Sequence, residues 1–236
     1  MSEPRVAVVT GGTGGLGRSI VKRFAAHQYR LAVSYLVPEE AASLEEALDL
    51  GEDRLLLRRV DATDPEAVND FMKEVVEQFG TMHILISLVG GWAGGRDVEE
   101  TDDVRFERML DLNLRSAFYA VRAAIPHLRA AGWGRIVLVG SRAAFEAPTG
   151  QAAYNVAKAG VIALARSVAH EVEDANITAN AILPSVIDTP AFREAIPYGD
   201  YLNWPTPDQI AAVVDFLASE ESGVMNGASV PVYGGT

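Results

Sequence analysis

Short runs of aliphatic and β-branched residues alternate along this chain with stretches whose apolar positions recur at helical spacing. RVAVVT (5–10) is a strand-like run, and GLGRSIVKRFAAH behind it has a helical period. LAVSY (31–35) predicts a second strand, and PEEAASLEEALDL (38–50) a helix with proline and acids in its first turn. RLLLRRV (54–60) predicts the third strand. A helix then runs to about Phe79, with Asp64 as N-cap and Pro65 at the first helical position. HILISLV (83–89) is nearly all apolar, as a strand covered on both faces should be. One long helical region spans 102–130, RIVLVG (135–140) is the fifth strand, and a helix covers 151 to about 173. ITANAIL (177–183), the helix DQIAAVVDFLAS (208–219) and SVPVY (229–233) close the series.

Seven strands in alternation with six helical segments, with no repeat or linker, predict one doubly wound α/β domain over 1–236: a seven-stranded parallel sheet of Rossmann type flanked by helices. Such sheets bind ligands beyond the carboxyl ends of their strands. The segments to read for chemistry are therefore 10–17, 35–37, 61–64, 87–97, 140–151 and 184–207.

Composition narrows the classes. A net charge of −12 argues against nucleic acid or an anionic membrane as partner. With no cysteine, disulfides, thiolate catalysis and cysteine zinc sites are excluded. His27, His83, His127 and His170 fall at no metal-ligand spacing, so no metal is expected. No apolar run approaches the ~20 residues a membrane span needs. MSEPRVAVVT enters a strand without a signal-like core, so a cytoplasmic location is expected.

Two motifs carry chemistry. Thr10-Gly11-Gly12-Thr13-Gly14-Gly15-Leu16-Gly17 joins the first strand to the first helix, where glycines allow a tight turn and the helix N-terminus offers N–H groups to a pyrophosphate. Tyr154 and Lys158 lie four apart on a predicted helix, one turn from each other. A lysine cation there favours phenolate and lowers the phenol pKa toward neutral, as an acid/base requires. Taken alone, such a pair is an ordinary helix-face contact, and a glycine-rich loop is an ordinary turn.

Together the motifs resemble the classical short-chain dehydrogenases/reductases. TGGTGGLG is similar to their TG-x-x-x-G-x-G loop, Tyr154 and Lys158 match Y-x-x-x-K, and Ser141 and Asn113 stand at the places of the family's serine and helix asparagine. The loop also reads as TG-x-x-G-x-x-G, the pattern of a longer subgroup with an added substrate domain, for which this chain is short. The resemblance implies a single hydride-transfer domain. Tyr154 exchanges a proton with the substrate oxygen, Ser141 orients that oxygen, Lys158 depresses the tyrosine pKa and binds the nicotinamide ribose, and Asn113 holds a water that links Lys158 to solvent. It also implies cofactor contacts from Gly11, Thr13, Gly15, Leu16, Gly17, Tyr35, Asp61, Ala62, Gly90, Tyr154, Lys158, Pro184, Ile187 and Thr189.

Ser34-Tyr35-Leu36 puts no carboxylate where an NAD enzyme has one, which favours NADP(H) and leaves NAD(H) second. The basic residue expected in the loop is missing, because position 14 is Gly, and Arg18 could reach instead. Two departures stand out: Ser87-Leu88-Val89-Gly90 replaces N-N-A-G, and Pro184-Ser185 replaces Pro-Gly, where serine disfavours a left-handed turn. Trp92, Phe145, Gln151, Phe192, Tyr198 and Trp204 are candidates to line the substrate pocket. The acidic balance, with EVEDAN (171–176), ranks a free small carbonyl or alcohol above a carrier-linked ketoacyl group. The resemblance implies a homotetramer or homodimer. A non-catalytic NAD(P)-binding protein and an isomerase or dehydratase on the same residues are the alternative readings.

Overall fold

The computed structural model describes residues 4–235; Met1, Ser2, Glu3 and Thr236 lie outside the described residues. Seven strands, β1 (Val6–Thr10), β2 (Arg30–Tyr35), β3 (Leu55–Arg59), β4 (Ile84–Ser87), β5 (Gly134–Val139), β6 (Ile177–Pro184) and β7 (Ser229–Val232), form one sheet. Their order is β3-β2-β1-β4-β5-β6-β7, and every neighbouring pair is parallel. Strands β1, β4 and β6 are buried at every position because both faces of the sheet are covered. In β1, Val6 and Val8 enter one core while Ala7 and Val9 enter the other.

Helices α3 (Pro65–Phe79), α5 (Ser116–Ala131) and α7 (Ala152–Glu171) cover the first face through Phe71, Met72, Ala120, Leu128 and Val161. Helices α1 (Gly15–Ala26), α2 (Pro38–Leu48) and α9 (Pro207–Leu217) cover the second through Ile20, Phe24, Leu44, Ile210 and Val214. Asp64 caps α3 by accepting from Glu66 N and Ala67 N, as its position before Pro65 predicts. A capping box of Thr206 and Gln209 starts α9.

The predicted single helix over 102–130 is divided. It runs as α4 (Asp103–Leu110), a π-turn over Asp111–Arg115, and α5. Two short helices, α6 (Ala143–Glu146) and α8 (Pro190–Ala195), occupy stretches where no helix is predicted. The strand order reverses between β1 and β4. That reversal opens a crevice at the carboxyl ends, where an open sheet takes its ligand.

Candidate cofactor groove and active site

The chain leaves β1 and turns at Gly11, whose φ of +68° suits glycine. Gly11 N–H donates to Ser34 Oγ and Gly12 N–H to the Ser34 carbonyl, both at 3.2 Å, so the end of β2 holds the loop. A β-carbon at Gly17 would lie 2.6 Å from the Gly12 backbone, so α1 starts this close to the loop only without a side chain there. Gly14 is an extended N-cap that supplies no side-chain hydrogen bond, leaving the first N–H groups of α1 untaken by a cap.

A groove of about 300 Å³ opens here. Gly11, Thr13 and Gly14 line it after β1, Ser34 to Val37 with Glu40 after β2, Val60 to Thr63 after β3, and Leu88 to Gly90 after β4. Uncapped helix N–H groups, a glycine cradle and an elongated crevice across the strand reversal fit a nicotinamide dinucleotide. Of the residues predicted for that role, Gly11, Thr13, Tyr35, Asp61, Ala62 and Gly90 line the groove. Gly15, Leu16 and Gly17 form the first turn of α1. Pro184 ends β6, and Ile187 packs on the second core. Thr189 comes back over the loop: its methyl would stand 3.0 Å from a β-carbon on Gly15. Its hydroxyl oxygen accepts from Phe192 N and caps α8.

Asp61 is fixed by Thr63, whose hydroxyl and N–H both donate to Oδ1 (2.7 and 2.9 Å) and hold its pKa below the usual carboxylate value. Arg18 does not line the groove. Its guanidinium donates to the Glu40 carbonyl at 3.2 Å and to Ser43 carbonyl and hydroxyl at 3.1 and 2.9 Å.

The acid/base residues converge next to this groove from three elements. Ser141 follows β5, Tyr154 and Lys158 stand one turn apart on α7, and Asn113 lies in the π-turn. Tyr154 shares a side-chain hydrogen bond with Ser141. Ser141 Oγ also accepts from Ala143 N at 3.2 Å, which fixes the hydroxyl. Lys158 is 5% exposed and donates to the Val139 carbonyl at 2.8 Å. Gly90 passes directly over this cluster, since a β-carbon there would meet Asn113 Oδ1 at 2.8 Å and Lys158 Nζ at 3.2 Å.

Two expectations change. Tyr154 is not shifted toward neutral: burial raises its pKa, and the Ser141 hydrogen bond only partly offsets this. The Lys158 ammonium is directed at the Val139 carbonyl, and burial lowers its own pKa to about 8. Asn113 also has a different immediate task. Its amide accepts from Gly91 N (3.1 Å) and donates to the Gly91 and Met109 carbonyls (2.9 and 3.1 Å), clamping the turn after β4.

The departures at 87–90 and 184–185 have local explanations. Ser87 meets Thr10 Oγ1 at 3.5 Å and so joins β4 to β1 in part. Ser185 is not among the residues with positive φ, and its hydroxyl donates to the Tyr233 carbonyl at 2.8 Å, tying this turn to the C-terminal segment.

Among the aromatic candidates, Trp92 donates to Gln151 Oε1 at 2.7 Å beside the start of α7. Trp204 is instead buried against Tyr201, while Phe145 and Tyr198 are open to solvent. Sequence reasoning missed Glu40 and the Val139 carbonyl as parts of the site. Their contacts join separate elements and leave no mark on spacing. Among the described residues, no group of three or more His, Asp or Glu could hold a metal ion, and no helix is long and apolar enough to cross a membrane.

The comparisons with known proteins fall on the same site. The family model for short chain dehydrogenases matches residues 5–197. The chain is 34% identical over 242 residues to the 3-oxoacyl-(acyl-carrier-protein) reductase MabA of Mycobacterium tuberculosis, covering 98% of this chain and 92% of that one. It is 32% identical to the acetoacetyl-CoA reductase of Allochromatium vinosum, covering 98% of each. The solved structure of a short-chain dehydrogenase/reductase from Serratia marcescens superposes with a TM-score of 0.90 at 30% identity, covering 98% of this chain and 97% of that one. This chain belongs to the short-chain dehydrogenase family, oxidoreductases that work between carbonyl and alcohol with a nicotinamide dinucleotide.

Proposed function

We propose that the protein interconverts a small free carbonyl compound and its secondary alcohol, with Tyr154 as proton donor and acceptor. The observation that carries this is the Tyr154–Ser141 hydrogen bond, one helical turn from the buried Lys158 and beside the glycine-loop groove. A dinucleotide bound in that groove would supply or accept the hydride. Ser141, fixed by Ala143 N–H, orients the substrate oxygen toward the phenol. The raised pKa keeps Tyr154 protonated at neutral pH, the form that donates to a carbonyl oxygen during reduction. Lys158 lies beside the phenol, its Nζ 5.9 Å from the ring centroid, and Asn113 holds the Gly91 turn against this cluster.

For the cofactor, two observations pull in opposite directions. Tyr35 offers no carboxylate to a ribose 2′-hydroxyl, which favours NADP(H); the groove offers no cation to a 2′-phosphate, which favours NAD(H). Both dinucleotides belong to this reading. A free substrate rather than a carrier-linked one is supported by the net charge of −12, because acyl carriers are themselves acidic and would be repelled. Assembly as a homotetramer or homodimer is supported by exposed Phe118 and Val156 on α5 and α7. A cytoplasmic site of action completes the reading and is tested by cell fractionation.

The central test is a panel of small ketones and aldehydes with NADPH or NADH, followed at the nicotinamide absorbance. Tyr154→Phe is expected to lose at least ~100-fold in turnover while still binding the dinucleotide. Equal turnover by Tyr154→Phe sinks the proposal.

A further inference from the structure

Glu40 stands in the first turn of α2 and lines the groove together with Tyr35, Leu36 and Asp61. Its Oε2 accepts a 2.8 Å hydrogen bond from Thr13 Oγ1, and Thr13, 4% exposed, belongs to the glycine loop itself. The carboxylate is therefore anchored to the glycine loop itself, where β2 gives way to α2. In dinucleotide-binding sheets the groups near the end of the second strand decide between a ribose 2′-hydroxyl and a 2′-phosphate. Ser34, Tyr35, Leu36 and Val37, which continue that strand into the groove, carry no charge. The nearby cation, Arg18, is drawn onto the α2 backbone at the Glu40 and Ser43 carbonyls, outside the groove lining. Apart from Asp61, which Thr63 holds after β3, Glu40 is thus the charged group lining the groove at this end.

We propose that Glu40 is the residue that sets the dinucleotide choice: its Thr13-anchored carboxylate opposes a 2′-phosphate and accepts a 2′-hydroxyl. The inference rests on the dinucleotide reading of the groove. A phosphate of about −1.5 to −2 charge beside a fixed carboxylate is repelled, and the repulsion is partly screened because the groove is open to water. Glu39 shares the first turn but does not line the groove, so its charge is a control for distance rather than position.

The experiment is fluorescence titration of the folded protein with NADH and NADPH in the absence of substrate, for wild type, Glu40→Gln, Glu40→Arg and Glu39→Gln. Thermal melts confirm that each variant is folded. Glu40→Gln is expected to tighten NADPH roughly three- to tenfold relative to NADH, Glu40→Arg more, and Glu39→Gln to leave the ratio unchanged. The effect should shrink as salt is raised. An unchanged ratio in both Glu40 variants overturns the proposal, as does an equal shift in Glu39→Gln, which would make it a matter of overall charge. If neither dinucleotide binds wild type, the dinucleotide reading itself has failed, a result distinct from both.

Discussion

Lys158 Nζ lies 2.8 Å from the Val139 carbonyl in a position 5% exposed, and burial brings its pKa from 10.5 to about 8. At ~1.4 kcal/mol per unit, keeping this group charged in the fold costs on the order of 3 kcal/mol. Between about pH 8 and 10 the unfolded chain still holds the proton that the folded chain has released, so stability rises with pH across that window. Tyr154 opposes this only where the unfolded phenol begins to ionise, toward pH ~10, because burial raises its pKa above the ordinary tyrosine value. Lys158→Met, which removes the titration, should therefore gain most over wild type near pH 7, with the difference shrinking toward pH 10. Its loss of the Val139 hydrogen bond is a constant offset. Urea midpoints at both pH values check this, and a pH-independent difference contradicts it. The presence of Tyr154 and Lys158 was legible because both sit on one helix. Their ionisation was not, because it depends on what β5 and the Gly90 turn place around them.

The strand–loop–helix unit of β1 and α1 depends on glycine at one position far more than at another. A β-carbon at Gly17 would lie 2.6 Å from the Gly12 backbone, while at Gly14 the nearest atom, the Gly11 carbonyl oxygen, is 3.8 Å away. Backbone cannot swing aside as a side-chain tip can, so Gly17→Ala should destabilise the protein by about 1–3 kcal/mol. Gly14→Ala, at an extended N-cap with φ −69°, should change stability by no more than ~1 kcal/mol. Denaturant midpoints of the two variants give the contrast, and equal losses would refute it. The strands around this unit were legible because burial on both faces makes their composition continuous. The π-turn over Asp111–Arg115 was not, since one extra residue in a helix leaves the apolar spacing of DLNLRSAF looking regular. That turn places Asn113 where its amide meets Gly91.

At the scale of the molecule, association sets apolar surface against charge. Phe118 on α5 is 43% exposed, Val156 on α7 is 51% exposed, and Val104 on α4 is 79% exposed. Residues of that kind gain from burial against a second copy, on the order of 25 cal/mol per Å² of apolar area. Each protomer also carries a formal charge of −12, so protomers repel one another until salt screens the repulsion. Neither term shows in the periodic pattern that specified the sheet: these side chains are outward positions of helices whose inward faces define the fold. The homotetramer or homodimer reading then carries a direction with salt. Light-scattering mass should be a multiple of 25.3 kDa at moderate ionic strength and fall toward the protomer as salt is removed. Phe118→Glu with Val156→Glu adds two charges to the contact surface on each protomer and should hold the protein at protomer mass in both conditions, its melting transition still cooperative. A wild type that stays at protomer mass in moderate salt and at high concentration rules the assembly out, and the exposed residues of α5 and α7 are then ordinary surface.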